Sequence, residues 1–86
     1  MDNKRSDKPH QIKLDERRRL EIEGVEGVIS FDEDYVHILS HMGAIEIDGA
    51  GMLIEDLSKS DGKILITGTI NQISYKDGIK KKGLFK

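Results

Sequence analysis

The chain has 86 residues, of which 36% are hydrophobic and 35% are charged, and it contains no cysteine. This length suits a single domain. The lack of cysteine excludes disulfide frameworks, thiolate zinc sites and cysteine nucleophiles, and it favours a cytoplasmic location. No apolar stretch reaches the ~18 residues that predict a transmembrane helix. The polar N-terminus likewise predicts no secretory signal.

The net charge of −2 conceals an acidic centre between two basic ends. Residues 1–19 carry a net charge of +3, residues 20–75 a net charge of −9, and residues 76–86 a net charge of +4. Such an asymmetry predicts that the ends and the centre meet different surroundings.

We predict a disordered leader over residues 1–9, a single β domain over residues 10–77 and a basic, flexible tail over residues 78–86. The tail is either simply solvated or in weak, reversible contact with an anionic membrane surface or a protein partner. The residues predicted to make that contact are Lys80, Lys81, Lys82, Leu84, Phe85 and Lys86.

Short segments rich in Ile, Val, Leu and Thr, separated by Gly or Asp, indicate strands through most of the chain. Turns are predicted at Asp32–Asp34, at His41–Gly43 and at Asp61-Gly62. The segment Leu14–Leu20 is too short for a stable isolated helix, so it is a turn or a short helix at most. The predicted strands are Gln11–Asp15, Leu20–Glu23, Val28–Asp32, Tyr35–His41, Ala44–Asp48, Met52–Leu57, Lys63–Thr69 and Ile70–Tyr75.

An apolar-x-Ile-x-Gly pattern occurs three times, ending at Gly24, Gly49 and Gly68. Five residues after each glycine comes an isoleucine, a spacing that places it on the opposite face of a regular strand. If these isoleucines (Ile29, Ile54 and Ile73) all belong to the core, each repeat has a register break near its glycine.

Two all-β folds fit this repeat. The first is a small antiparallel β-roll or sandwich of about seven or eight short strands with bends at the glycines. The second is a short β-solenoid, in which each repeat forms one rung. The unequal spacing of the repeats and the hairpin signal at Asp61-Gly62 favour the first.

No catalytic, cofactor-binding or metal site is predicted. On a strand, His37 and His41 are about 13 Å apart, too far to bind one metal ion, so we expect both on the solvent face. The carboxylates of Asp32–Asp34 and Glu55-Asp56 lack the spacing of a calcium loop and predict a solvated acidic face. Gly49–Gly51 lacks the pattern of a phosphate-binding loop. We therefore expect no enzymatic activity and no cofactor.

The alternative function is that of a small β-barrel that binds nucleic acid. Such a protein needs a basic groove with aromatic stacking platforms, whereas this acidic centre would repel phosphates. The aromatic residues are few, and Phe31 is predicted to lie in the core, where its truncation to Ala costs about 3–5 kcal/mol. We expect no nucleic-acid partner.

Several segments together follow the order of one known family: His10–Leu14, Leu20–Asp32, Gly43–Gly49 and Gly62–Gly68, with Gly24–Asp32 as the most specific run. In these segments the chain resembles the YabP/YqfC family of sporulation proteins. The basic end, Lys80–Lys86, is similar to the tail of the YabP branch.

The resemblance implies a non-enzymatic protein of endospore-forming bacteria, located in the mother-cell cytoplasm at or near the developing spore surface. It implies a role in morphogenesis of the spore envelope, coat and cortex, through protein–protein or membrane-proximal contacts. The partner it implies is a sporulation membrane protein of the YabQ type. Exposed strand edges also make a homo-oligomer physically available.

Overall fold

The computed structural model describes residues 9–76, which form six antiparallel strands and no helix. Within these residues there is accordingly no helix with the length and apolarity to span a membrane. The predicted all-β class is confirmed. The strands are β1 (Gln11–Asp15), β2 (Arg19–Glu23), β3 (Val25–Asp32), β4 (Tyr35–Ser40), β5 (Gly43–Ser58) and β6 (Lys63–Tyr75).

The strands form one open sheet in the order β1-β2-β6-β5-β4-β3. Every neighbouring pair is antiparallel, so the alternative of a β-solenoid is wrong. There are six strands instead of seven or eight because two predicted pairs of strands are continuous. Ala44–Asp48 and Met52–Leu57 are the two halves of β5, and Lys63–Thr69 and Ile70–Tyr75 are the two halves of β6.

Both long strands bend near their middles, which folds the sheet into a body of 37 × 34 × 20 Å. The first half of β5 pairs with β4 as far as Asp48, and the first half of β6 pairs with β2 as far as Thr67. Between β5 and β6 the register shifts at Asp48/Gly49 and at Ala50/Leu53, opposite Gly68. The register breaks predicted at these glycines are confirmed.

Eleven buried apolar residues fill the space inside the folded sheet. They come from β2–β6, and Ile54 and Ile73 pack against them as partly buried neighbours. The two halves of the long strands therefore share one core instead of forming separate units. The buried residues are Leu20, Ile22, Val25, Val36, Ile38, Ile45, Ile47, Met52, Ile64, Ile66 and Ile70.

The core positions predicted for Ile29 and Phe31 are wrong. Ile29 is 54% exposed and Phe31 is 46% exposed. Both lie on β3, an edge strand whose pairing with β4 is interrupted by register shifts, one of them at Val28/Ser30. Phe31 pairs with the buried Val36 and so points to the core side, but at the sheet margin only one neighbouring strand covers it.

The segment predicted as a turn or short helix is the turn between β1 and β2. Glu16 and Arg17 adopt positive φ angles of 54° and 55°, a left-handed conformation that costs an L-residue about 1–2 kcal/mol. Contacts with the bend of β6 offset this cost. The Arg17 carbonyl accepts the Ile70 N–H at 2.8 Å, and the Arg17 Nε donates to the Ile70 carbonyl at 3.0 Å.

The turn between β3 and β4 contacts the bend of β5 in the same way. The Glu33 carbonyl accepts the Met52 N–H at 2.8 Å, and the Asp34 carbonyl accepts the Gly49 N–H at 3.2 Å. Each bend interrupts strand pairing and leaves backbone N–H groups that need partners. The two hairpin turns supply those partners, one for each long strand.

Replacing Gly49 with Ala should destabilise the fold by about 3 kcal/mol or more, because the added Cβ would overlap the Thr69 carbonyl oxygen. Urea denaturation of the variant measures the loss. Gly27→Ala is the matched control, since a Cβ there meets nothing within 4 Å and should change stability by less than about 1 kcal/mol. Equal effects of the two substitutions would contradict the close packing of the bend.

Truncating Phe31 to Ala should cost only about 1 kcal/mol, because nearly half of its surface is already exposed. Ile38→Ala, at a fully buried site, should cost about 2–5 kcal/mol. Denaturant unfolding of the two variants gives the comparison. A larger loss for Phe31→Ala than for Ile38→Ala would show that β3 packs more tightly than its exposure indicates.

Candidate interaction surfaces

The predicted contact residues of the tail, Lys80–Lys82 and Leu84–Lys86, lie outside the described residues. So do residues 1–8 of the predicted leader, which covers residues 1–9. The structure does describe where both segments join the domain, at Pro9 and at Lys76. The surface around these two junctions is therefore the first candidate site.

A histidine joins the two ends of the domain. His10 Nδ1 lies 2.9 Å from the Glu23 carbonyl oxygen, which only accepts, so this nitrogen carries a proton and donates. In the neutral ring, Nε2 then accepts from the Tyr75 hydroxyl at 2.5 Å. Residues 65 positions apart in sequence are thus in direct contact, and both undescribed segments start from one corner of the fold.

A second histidine packs against this corner. The His41 ring meets the His10 ring edge-on at a centroid distance of 5.8 Å, and its backbone N–H donates to the Gly24 carbonyl at 3.0 Å. Gly24 has φ of +89°, and a Cβ there would lie 2.9 Å from both the His41 ring and the Pro9 carbonyl oxygen. The predicted bend at Gly24 is confirmed as the corner between β2 and β3.

The prediction that His37 and His41 lie on the solvent face is wrong in part. Both are half-buried, and the Nε2 atom of each is buried with no hydrogen-bond partner among the described residues. Between Pro9 and Lys76, no three His, Asp or Glu residues are grouped closely enough to hold a metal ion.

An acidic face covers the outer side of β4 and β5. Tyr35 pairs with Asp48 and His37 with Glu46, so these four side chains lie on the side opposite the core. Partial burial raises the pKa of Tyr35, and hydrogen bonding to Glu46 and the charges of Glu46 and Asp48 raise it further. A face of this charge would repel phosphate groups and would suit a cationic partner.

The acidic turn Asp32–Asp34 is exposed, in agreement with the predicted solvated face. Its main contribution to the fold comes from backbone groups, since two of its carbonyls accept N–H groups from the bend of β5. The Asp32 carboxylate accepts the Glu33 N–H at 2.7 Å, which stabilises the turn locally.

The aromatic side chains do not share a stacking platform in the described part of the chain. Phe31 lies on the core side of β3, whereas Tyr35 lies on the acidic outer face of β4. Tyr75 is engaged by His10, and Phe85 lies outside the described residues. The geometry of residues 9–76 thus gives no specific support to the alternative of nucleic-acid binding.

The sequence alone could not reveal the contact between His10 and Tyr75. The two residues belong to opposite ends of the domain, and no local pattern relates them. The exposed apolar side chains of Leu14, Leu53 and Met42 are also missed, because strand alternation alone does not tell which strands lie at an edge.

Comparisons with known proteins agree with the resemblance drawn from the sequence. Residues 6–82 match the YabP family. A curated relative, the spore protein YabP of Bacillus subtilis (strain 168), is 30% identical over 79 residues, which cover 88% of this chain and 79% of the relative. The chain therefore belongs to the YabP family of sporulation proteins.

Proposed function

We propose that this protein acts in the mother cell, without enzymatic activity or a cofactor, in morphogenesis of the spore coat and cortex. The observation that carries the proposal is the family match over residues 6–82, together with the similarity to a curated spore protein. The protein works at or near the surface of the developing spore, through contacts with a membrane and with a protein partner there.

The distribution of charge supports a contact made by the tail. Residues 9–76 contain seven Lys or Arg side chains and thirteen Asp or Glu side chains, whereas residues 78–86 contain four Lys and no acid. The leader and the tail join the domain at one corner, where His10 contacts Tyr75. The cations of both ends therefore start from the same point on an acidic body.

An anionic membrane surface is a partner that suits this arrangement. Each Lys near an anionic leaflet contributes about 1 kcal/mol, and Leu84 and Phe85 add a small apolar contact. The acidic face of β4 and β5 would be repelled by the same surface, so the domain would be held with that face turned away from the lipid. The protein partner at that membrane is a sporulation membrane protein of the YabQ type.

The first test compares two charge-matched double variants. Lys80→Gln/Lys81→Gln should weaken binding to vesicles of anionic lipid by about 30-fold, since two contacts of about 1 kcal/mol each are lost. Lys59→Gln/Lys63→Gln removes the same charge from β6 and the turn before it and should change binding less than about 3-fold. Cosedimentation with the vesicles measures both affinities.

Vesicles of uncharged lipid provide the second control, and binding to them should be too weak to measure. Equal losses for the two double variants would contradict a specific role of the tail and leave only a net-charge effect. Strong binding of a single-stranded oligonucleotide by the intact chain would favour the alternative function instead.

The second test concerns location. A fluorescent fusion should form a shell around the developing spore on the mother-cell side, and removal of residues 78–86 should leave it diffuse in the mother-cell cytoplasm. Fluorescence microscopy of sporulating cells measures the distribution, and electron microscopy of a deletion strain should show a defective coat or cortex. A signal inside the developing spore would contradict the proposal.

A further inference from the structure

Because the sheet folds over, four stretches of strand have a neighbour on one side only: β1, β3, the second half of β5 and the second half of β6. Three of these four free edges are irregular. The pairing of β3 with β4 is interrupted twice, at Val25/Gly27 and at Val28/Ser30. The pairing of β5 with β6 is interrupted at Ile54/Asp56, in the second half of β5. It is interrupted again opposite Asp48/Gly49, where Asn71 is an extra residue in the second half of β6. Irregularities of this kind prevent an edge from pairing with another strand.

The fourth edge, β1, is regular. All five of its residues pair with β2 without a register shift, and β2 pairs with β6 equally regularly. Four of the five residues of β1 are exposed, including Leu14 at 39%. In the described part of the chain nothing pairs with its outer side.

The backbone groups that face outward can be identified. The Asp15 carbonyl accepts the Arg18 N–H at 2.9 Å and therefore points toward β2. Successive residues of an antiparallel strand alternate in direction, so the N–H and C=O groups of Leu14 and Ile12 point to the free edge. The groups of Leu14 are the ones that a second β1 centred on Leu14 would meet, since Ile12 would then lie opposite Glu16 of the turn.

We propose that β1 pairs with β1 of a second copy of this chain, antiparallel and with Leu14 opposite Leu14 of the other copy. In this register Lys13 of each copy lies opposite Asp15 of the other, which gives two ion pairs of opposite charge across the joint. Moving the register by two residues would place Lys13 opposite Lys13, a pairing of like charges that destabilises a sheet. Charge complementarity thus favours this register over the one centred on Lys13, and it suits a second copy of this chain as the partner.

The pairing of β1 with its copy gives a specific form to the homo-oligomer expected from the exposed strand edges. It rests on the proposed function only in that the protein acts through contact with another protein chain. Its residues and its readout differ from those of the tail. Failure of the pairing would leave the vesicle experiment untouched, and failure of vesicle binding would leave the pairing untouched.

The test uses the absence of cysteine from the chain. In a hydrogen-bonded antiparallel pair the Cα atoms of opposite residues are about 5.5 Å apart, within the range that a disulfide spans. Leu14→Cys should therefore form a disulfide between two copies under mild oxidation, at least about 10-fold faster than Leu53→Cys, an exposed control on β5. Non-reducing electrophoresis measures the rates.

Sedimentation velocity of the unmodified chain should show a monomer–dimer equilibrium that stops at the dimer. Lys13→Glu/Glu21→Lys keeps opposite charges between β1 and β2 and should abolish the dimer, and adding Asp15→Lys/Arg19→Glu should restore it, with circular dichroism confirming that each variant is folded. Equal cross-linking at positions 14 and 53, faster cross-linking of Ile12→Cys, growth past the dimer, or a monomer at every concentration would each overturn the proposal.

Discussion

The close approach of β5 and β6 at their bends is the constraint on which the rest of the fold depends. Gly49 leaves no room for a Cβ beside the Thr69 carbonyl, and a Cβ at Gly68 would lie 2.6 Å from the Gly51 carbonyl oxygen. Any larger residue would push the two strands apart where the sheet folds over. Because the two halves of each strand share one core, separation there would expose residues such as Met52 and Ile70, which are fully or almost fully buried.

The bend also explains the conformation of the two hairpin turns. A sheet that folds back breaks its ladder of hydrogen bonds, and the freed N–H groups must find other acceptors. The turn between β1 and β2 supplies carbonyl acceptors to the bend of β6, and the turn between β3 and β4 supplies them to the bend of β5. Arg17 adopts a left-handed backbone conformation in the first of these turns. Its guanidinium also donates a hydrogen bond to Asn71 Oδ1 at 2.6 Å. The energetic cost of this left-handed conformation is offset by hydrogen bonds to residues of β6 that are far away in the sequence.

Local chemistry allowed much of the fold to be predicted from the sequence. Alternation located the strands, and the glycines located the bends, because both signals reside in neighbouring residues. The sequence could not tell that Gly49 and Gly68 bend continuous strands instead of separating short ones, since both require backbone freedom. The exposure of Phe31 and the contact of His10 with Tyr75 depend on the position of a strand in the sheet, which no local pattern encodes.

The two proposed contacts would reinforce each other. Antiparallel pairing of β1 with its copy relates the two domains by a two-fold axis perpendicular to the joined sheet, which leaves the same face of each copy on the same side. Each corner lies at His10, before the start of β1, so the two corners lie at opposite ends of the antiparallel joint and, because of the two-fold axis, on the same side of the joined sheet. Two tails could therefore reach one surface on that side. A single tail binds weakly and reversibly. Two tails linked through the sheet would bind with much higher avidity, which would couple self-association to retention at the membrane.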